Sequence, residues 1–477
     1  MVHLLLLALM AASQPVGPGG PDLFIKAGRV HLGTGEVLEA AVIQVRDGRI
    51  VAVGKDVVIA PGATVYDLSA YVVMPGMVDG VSYAGIPGGR TANEEGREHT
   101  PSLRVAGALD GRAPELARQL RAGVTSLVVH PGSRNVIGGV ACHVKVCGTD
   151  GSLRVADDAV ALRITLGTDP ATGQGRSGRS AGYMNRRPQS RMATIYEVRE
   201  QLQRALNYRV RRSADDTVSA NADYETILLA LDGKISVHWQ ARTEKDIHAV
   251  LRVGAEFGLK RNVILEAYEA DKCSSELAKA KTPVLVGPLF HPQYGGGPRA
   301  PMNPEIDAIA DDHTHEHVEI CLVGCEEDHE HKSCDDPTHV HDASWPRCAG
   351  HECCVAAGVA IAPDKSEVHR PIAAAWKLWR SGVPCGFARG GDVAGSTLLD
   401  FARFAVRSGL PADRALRMLT SEPARICGID DRVGSIAKGK DADLVVLTGD
   451  PLLPTSAIEM VLIDGRIAFD GRKEKAK

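Results

Sequence analysis

The stretch Val72–Gly85, VVMPGMVDGVSYAG, decides the fold of this chain. The apolar residues 72–74 (VVM) precede the pair Pro75-Gly76. Residues 77–78 (MV) then lead into the segment Asp79–Tyr83. Side chains alternate between the two faces of a β-strand, so Val81 and Tyr83 lie on one face if this segment is a strand.

This stretch resembles the first barrel strand of the amidohydrolase superfamily, which ends in the pattern PGxxDxHxH. In that family the two histidines share one face of the strand and bind metal. Val81 and Tyr83 stand at those two positions here. The resemblance therefore implies the family's fold, while it leaves open whether an enzyme remains.

Further blocks of the chain resemble one subgroup of the superfamily, the imidazolonepropionase-like subgroup. The letters GSIAKGKDADLVV resemble the superfamily's C-terminal signature, and with both termini included the similarity spans most of the region from 22 to 471. The resemblance implies an α/β fold, a (β/α)8 TIM-like barrel plus a small β-sandwich built from both termini. The blocks are Pro101–Asp110, Pro131–Lys145, Pro188–Met192 and Ala412–Gly428.

The order of strand-like and helix-like segments favours the same architecture. Both ends of the chain alternate apolar and polar residues between Gly-containing turns, which is typical of short antiparallel strands. The middle alternates strand-like and helix-like segments, and we expect no second cluster of strands there. We predict β-sandwich segments at 21–74 and 431–477, and the barrel at 75–430 with an insert at about 311–354.

The composition indicates a globular protein, and the resemblance implies a small-molecule substrate or ligand whose identity stays open. Hydrophobic residues make up 44% of 477, and 55 basic against 59 acidic residues give a net charge of −4. This balance predicts neither nucleic acid nor an anionic membrane as a partner. No apolar run reaches the roughly 18 residues that a transmembrane segment needs. A homo-oligomer remains one option.

The N-terminal twenty residues, MVHLLLLALMAASQPVGPGG, resemble a secretory signal peptide with a weak basic start. A short apolar core, Leu4–Met10, is followed by small residues and a Pro/Gly stretch. The alternative is a tail that happens to be rich in leucine. The first interpretation predicts export to the periplasm or the exterior.

The resemblance implies catalysis by one or two divalent cations at the carboxyl ends of the barrel strands. Such a metal lowers the pKa of a bound water and polarises the carbonyl under attack. Position by position, Gln240 and Arg242 stand where the family has histidines on strand five, and Glu266 stands at the strand-six histidine. His238 is a candidate metal ligand under a shifted register, with a core histidine as the alternative.

Two further candidates come from the same comparison. Asp392 is the candidate catalytic aspartate of strand eight, although an ungapped alignment places Gly390 there. Lys145 is the best match for a lysine near the metal, and a solvated or ion-paired lysine is the alternative. With Glu266 and His238, these residues do not form a typical hydrolytic zinc site.

A His- and Cys-rich segment from 311 to 354 does not resemble the family pattern. It holds eight of the seventeen histidines and six of the eleven cysteines, with acidic residues interleaved. Closely spaced imidazoles and thiolates suit a divalent metal, Zn²⁺ first, so we predict metal in the insert rather than in the barrel. Disulfides in an exported protein are the alternative. The candidate ligands are His313, His315, His317, Cys321, Cys325, His329, His331, Cys334, His339, His341, Cys348, His351, Cys353 and Cys354.

Two functions stay open from the sequence. By resemblance the chain is a hydrolase acting on carbon–nitrogen bonds other than peptide bonds, with activity altered or lost because most metal ligands are replaced. The alternative is a pseudoenzyme, a non-catalytic amidohydrolase scaffold that carries a metal-binding His/Cys-rich insert.

Overall fold

A computed structural model describes residues 22–89, 93–94, 96–147, 153–167, 169–170, 187–287, 371–390 and 397–475. Residues 1–20, the segment 311–354 and Asp392 lie outside these ranges, so the signal peptide, the insert and the catalytic aspartate stay predictions. No described helix is both long and apolar enough to cross a membrane.

The described residues form two sheets with helices packed around the second one. The strands are β1 (Leu23–His31), β2 (Val37–Arg46), β3 (Arg49–Gly54), β4 (Thr64–Pro75), β5 (Met77–Ser82), β6 (Val124–Val129), β7 (Ile137–Val146), β8 (Leu153–Thr165), β9 (Ser236–Gln240), β10 (Asn262–Leu265), β11 (Val284–Val286), β12 (Cys385–Phe387), β13 (Leu444–Leu447), β14 (Ile458–Ile463) and β15 (Arg466–Asp470). The helices are α1 (Pro114–Arg121), α2 (Arg191–Ala214), α3 (Ala222–Leu231), α4 (Glu244–Glu256), α5 (Ser274–Ala280), α6 (Pro371–Arg380), α7 (Leu398–Arg407), α8 (Ala412–Arg417), α9 (Ser421–Cys427) and α10 (Gly471–Lys475).

The first sheet contains strands from both ends of the chain, as the sequence predicts. Its order is β15-β14-β13-β4-β1-β2-β3, so β4 joins the N-terminal strands to the C-terminal ones. Two hairpins in it turn at Asp47-Gly48 and Asp464-Gly465, and all four residues have positive φ angles between 49° and 77°. Asp-Gly pairs adopt this left-handed conformation readily, which is why they suit two-residue hairpin turns.

The second sheet is the predicted barrel, with eight strands in the order β12-β11-β10-β9-β8-β7-β6-β5. The backbone N–H of Gly390, just after β12, donates to the carbonyl oxygen of Val81 at 3.0 Å, which links the last strand to the first. Seven strands run parallel, whereas β7 is antiparallel to both β6 and β8.

The antiparallel strand corrects one expectation. Strands β6, β7 and β8 follow one another with no helix in the described part between them, so the barrel does contain a second cluster of strands. Every residue of β7 is buried, because it pairs with neighbours on both edges. A fully buried strand shows no polar–apolar alternation, and for that reason its direction is not readable from periodicity.

Short contacts to backbone N–H and carbonyl groups hold the ends of the barrel strands together. The Oδ1 atom of buried Asp79 accepts the backbone N–H groups of Val81, at 3.2 Å, and of Arg389, at 2.9 Å. Gly287 has a φ of +144°, and a Cβ there would lie 1.7 Å from the carbonyl oxygen of Ala388. These contacts position the residues that follow β5, β11 and β12.

Candidate functional site

Glu266 is the centre of a buried polar cluster at the carboxyl end of β10. It is 1% exposed and has a φ of +55°, a left-handed conformation that is strained for a non-glycine residue. Its Oε1 accepts the hydroxyl of Tyr83 at 3.1 Å, and its Oε2 accepts Nε and Nη2 of Arg242 at 3.0 and 2.9 Å. Strand β5 thus supplies the tyrosine just after its end, and the segment after β9 supplies the arginine.

Arg242 joins Glu266 to a second carboxylate, that of Asp169. Nη1 and Nη2 of Arg242 donate to the two oxygens of Asp169 at 2.7 and 2.8 Å, a bidentate ion pair. Nε2 of Gln240 donates to the same carboxylate at 2.8 Å. The residues at the predicted strand-five positions, Gln240 and Arg242, therefore bind carboxylates.

Arg163 adds a second guanidinium to this cluster from β8. Its side chain is fully buried, donates through Nη2 to Oε1 of Gln240, and lies 3.8 Å from Oε1 of Glu266. The guanidinium carbon also lies 5.5 Å from the centroid of the Tyr83 ring, within range of a cation–π contact. Glu266 is therefore surrounded by two positive side chains and a phenol.

His238 forms a pair with His130 beside Arg163. The β8–β9 register places His238 opposite Arg163, and Nδ1 of His238 lies 2.8 Å from Nε2 of His130. Nδ1 of His130 lies 3.0 Å from the carbonyl oxygen of Val128, which only accepts, so this nitrogen carries the proton. When both rings are neutral, Nε2 of His130 has no proton and accepts the hydrogen bond from Nδ1 of His238. Nε2 of His238 then keeps a free lone pair.

The surroundings keep both rings neutral at physiological pH. Burial first, and then the charges of Arg163 and Arg261, lower the pKa of His238 to about 3. Burial, His238 and Arg163 hold the pKa of His130 well below its ordinary value. The buried Nε2 of His238 has no hydrogen-bond partner in the described part of the chain.

Lys145 requires a correction, because it lies at the other end of the barrel. Strand β7 is antiparallel, so Lys145 pairs with Ser126 near the start of β6 rather than at the carboxyl ends of the parallel strands. Its Nζ lies 2.7 Å from Asp441, 2.9 Å from Asp443 and 2.7 Å from Asp464. The ion-paired alternative is the one that the structure contains.

Val81 and Tyr83 have different surroundings, although they share a face of β5 and its extension. Val81 is fully buried in an apolar cluster with residues such as Val128 and Leu265. Tyr83 is 6% exposed and directs its hydroxyl at Glu266. The structure thus brings together four of the residues singled out in the sequence: Tyr83, Glu266, Gln240 and Arg242. His238 lies next to this group, beside Arg163. Lys145 lies at the other end of the barrel.

Comparison with known proteins shows which family and which solved structures the chain is similar to. A model described as the amidohydrolase family matches residues 306–468. The fold is similar to that of an amidohydrolase from Thermotoga maritima MSB8, with a TM-score of 0.71 and 24% identity over 94% of this chain and 100% of the other. Residues 306–468 thus match the amidohydrolase family, and the described part of the chain shares the fold of an amidohydrolase. The structure of a prolidase complexed with N-methylphosphonate-L-proline is also similar, with a TM-score of 0.52 and 17% identity over 94% and 100% of the two chains.

A curated relative supports this assignment at the level of sequence. The amidohydrolase tasK of Hapsidospora irregularis is 25% identical over 436 residues, which is 86% of this chain. The chain spans 37% of the length of that relative.

The described residues do not fit the divalent metal that the superfamily implies. A catalytic zinc site needs about three protein ligands with free lone pairs. Both oxygens of Glu266 accept hydrogen bonds from other side chains, and among the described residues no group of three His, Cys, Asp or Glu could hold a metal. Nε2 of His238 alone does not make such a site in the described part of the chain.

Three residues of the cluster were not among the sequence candidates: Arg163, His130 and Asp169. Arg163 interrupts the apolar letters AVALRIT, and a charged residue inside a buried strand was the signal that could have identified it. His130 ends the apolar run of β6 in the same way. Asp169 lies in a loop after β8, and no local pattern predicts its partner.

Proposed function

We propose that this superfamily member has lost metal-assisted hydrolysis of carbon–nitrogen bonds at its barrel centre. One observation carries the proposal: the carboxylate of Glu266, at a family ligand position, is bound by Arg242 and Tyr83. A metal ion at this place would have to displace a guanidinium that also pairs with Asp169.

Electrostatics supports the same conclusion. Arg163 and Arg242 both lie within 4 Å of Glu266, and Arg163 and Glu266 are fully buried. A second cation bound to Glu266 would lie near both guanidinium groups and would be repelled by their charges. The cluster already contains the positive charge that a metal would supply to the carboxylates.

The proposal has a second part, which concerns the His/Cys-rich segment at 311–354. Its histidine and cysteine spacing supports binding of a divalent metal there, with Zn²⁺ as the first candidate. The chain would then be an amidohydrolase scaffold that binds metal in the segment 311–354 and not in the barrel. The alternative is a C–N hydrolase with a rearranged site.

A hydrolysis assay on the purified full chain tests the first part. The chain is incubated with Zn²⁺, Mn²⁺ or Co²⁺, and the cleavage of an amide, a lactam and an X-Pro dipeptide is followed. We expect no metal-dependent turnover. Turnover that requires metal, disappears in Glu266→Gln and persists in the control Glu256→Gln would overturn the proposal. Glu256 suits the control because it forms an exposed pair with Arg199.

A further inference from the structure

We propose a second binding site, in the cleft where the turns of the sandwich meet the β7–β8 hairpin of the barrel. This junction cleft has a volume of about 780 Å³, which is within the usual range for small-molecule sites. We infer that it binds a small molecule with an anionic group and an apolar body. The inference is independent of the proposed loss of hydrolysis. The cleft lies beside Lys145 and the aspartates that pair with it, and not beside Glu266.

Arginine side chains supply the positive charge of the junction cleft. Arg49, Arg154, Arg432 and Arg466 line it. A guanidinium has five N–H donors and binds carboxylate or phosphate oxygens, so four of them in one cleft favour an anionic ligand.

Two of the three aspartates that line the cleft, Asp441 and Asp464, are already bound by other cations. Asp441 accepts Nε and Nη2 of Arg432 at 3.0 and 2.9 Å and lies 2.7 Å from Nζ of Lys145. Asp464 lies 2.7 Å from Lys145 and 2.5 Å from Nη2 of Arg154. These contacts neutralise the two carboxylates. A neutralised carboxylate repels an incoming anion less than an unpaired carboxylate would.

Two of the arginines keep most of their donors for a ligand. Nε of Arg49 comes no closer than 4.0 Å to Asp441, and its side chain is 54% exposed. Arg466 is exposed and forms no ion pair in the part of the chain that the structure describes. An exposed guanidinium without a close carboxylate exchanges only water when an anion binds, which lowers the cost of binding.

One wall of the cleft is apolar. Leu23, Val45 and Ile463 line it, and Val45 and Ile463 are each 3% exposed. The two Asp-Gly turns meet here, and a Cβ on Gly48 would lie 3.0 Å from the Cβ of Asp464. An apolar wall beside guanidinium groups suits a ligand that has both an anionic group and a ring or alkyl body.

Calorimetry on the full chain tests the proposal with phenyl phosphate as the probe. We expect a dissociation constant of about 1 mM or lower, and weaker binding of inorganic phosphate because it lacks the apolar body. The double variant Arg49→Gln/Arg466→Gln should bind phenyl phosphate at least about tenfold more weakly, a change that corresponds to about 1.4 kcal/mol. Benzoate in place of phenyl phosphate distinguishes a carboxylate site from a phosphate site.

The control is Arg209→Gln, which removes an exposed, ion-paired arginine of α2. Its affinity for phenyl phosphate should equal that of the wild type. The proposal is wrong if neither phenyl phosphate nor benzoate binds, if the double variant binds like the wild type, or if the control loses affinity equally. Should the double variant not fold, Arg466→Gln alone serves as the test, with an expected loss of about threefold.

Discussion

At the residue scale, the buried polar residues around Glu266 at the barrel centre are paired with one another. Glu266 and Arg163 have buried side chains, and Asp169 has a side chain that is 19% exposed. A buried charge is stable only when it is paired and hydrogen-bonded, and each member of this cluster pairs with another. The pairs therefore depend on one another.

Removing Arg242 should destabilise the fold strongly. Arg242→Ala leaves the carboxylates of Glu266 and Asp169 without their main partner, and breaking a buried ion pair in this way costs about 3–5 kcal/mol. Urea unfolding measures the loss. The control Arg209→Ala breaks an exposed pair with Asp232 and should cost less than about 1 kcal/mol. Equal losses in the two variants would contradict the account.

Asp79 should make stability depend on pH in the acidic range. Burial, opposed by the charge and the backbone N–H of Arg389, raises the pKa of Asp79 from 3.8 to about 6. Between these values the folded chain keeps a proton that the unfolded chain releases, so the free energy of unfolding falls as pH rises from about 4 to about 6.

The variant Asp79→Asn tests this effect. It keeps a side-chain oxygen for the N–H groups of Val81 and Arg389 but has no proton to lose. The stability of the wild type relative to the variant should therefore fall by on the order of 2 kcal/mol across that range. Urea unfolding at several pH values measures it, and parallel pH profiles would show that Asp79 does not titrate there.

At the element scale, the antiparallel strand β7 connects the barrel to the sandwich. It places Lys145 among Asp441 and Asp443, next to β13, and Asp464, in the turn after β14. Sequence blocks around Lys145 predict the family but not this location, since a lysine in a family block is compatible with either end of a strand. The direction of the strand decides it, and that direction depends on pairing with β6 and β8.

Lys145→Met should weaken the joint between barrel and sandwich. It leaves two buried carboxylates, Asp441 and Asp443, without a central cation, and we expect a loss of about 3–5 kcal/mol in the free energy of unfolding. The exposed Lys55→Met serves as the control and should change stability by less than about 0.5 kcal/mol. A small effect of Lys145→Met in urea unfolding would show that the cluster does not stabilise the joint.

Gly287→Ala tests the backbone contact between the ends of β11 and β12. The added Cβ would lie 1.7 Å from the carbonyl oxygen of Ala388, so the strand ends have to separate. We expect a loss of more than about 3 kcal/mol, measured by thermal unfolding. Gly382→Ala is a control for left-handed strain without a clash, because its φ is +76° and nothing lies within 4 Å; such strain costs about 1–2 kcal/mol.

At the scale of the whole molecule, the sequence predicts the architecture well and the site less well. The Pro-Gly stretch before Asp79 and the C-terminal letters GSIAKGKDADLVV predict the two sheets through their resemblance to the amidohydrolase superfamily. The same resemblance places Val81, Tyr83, Gln240 and Arg242 at the family's ligand positions. It does not predict the partners of these residues, since Asp169 and Glu266 meet Arg242 from separate loops.

The metal content of the full chain tests the central claim most directly. Elemental analysis compares the wild type with a variant in which the fourteen histidines and cysteines of 311–354 are replaced by asparagine and serine. Circular dichroism checks that the variant keeps its secondary structure. The account predicts that any bound metal disappears with these side chains. A variant that retains about one tightly bound metal per chain would contradict it, because the barrel would then hold a metal of the catalytic kind.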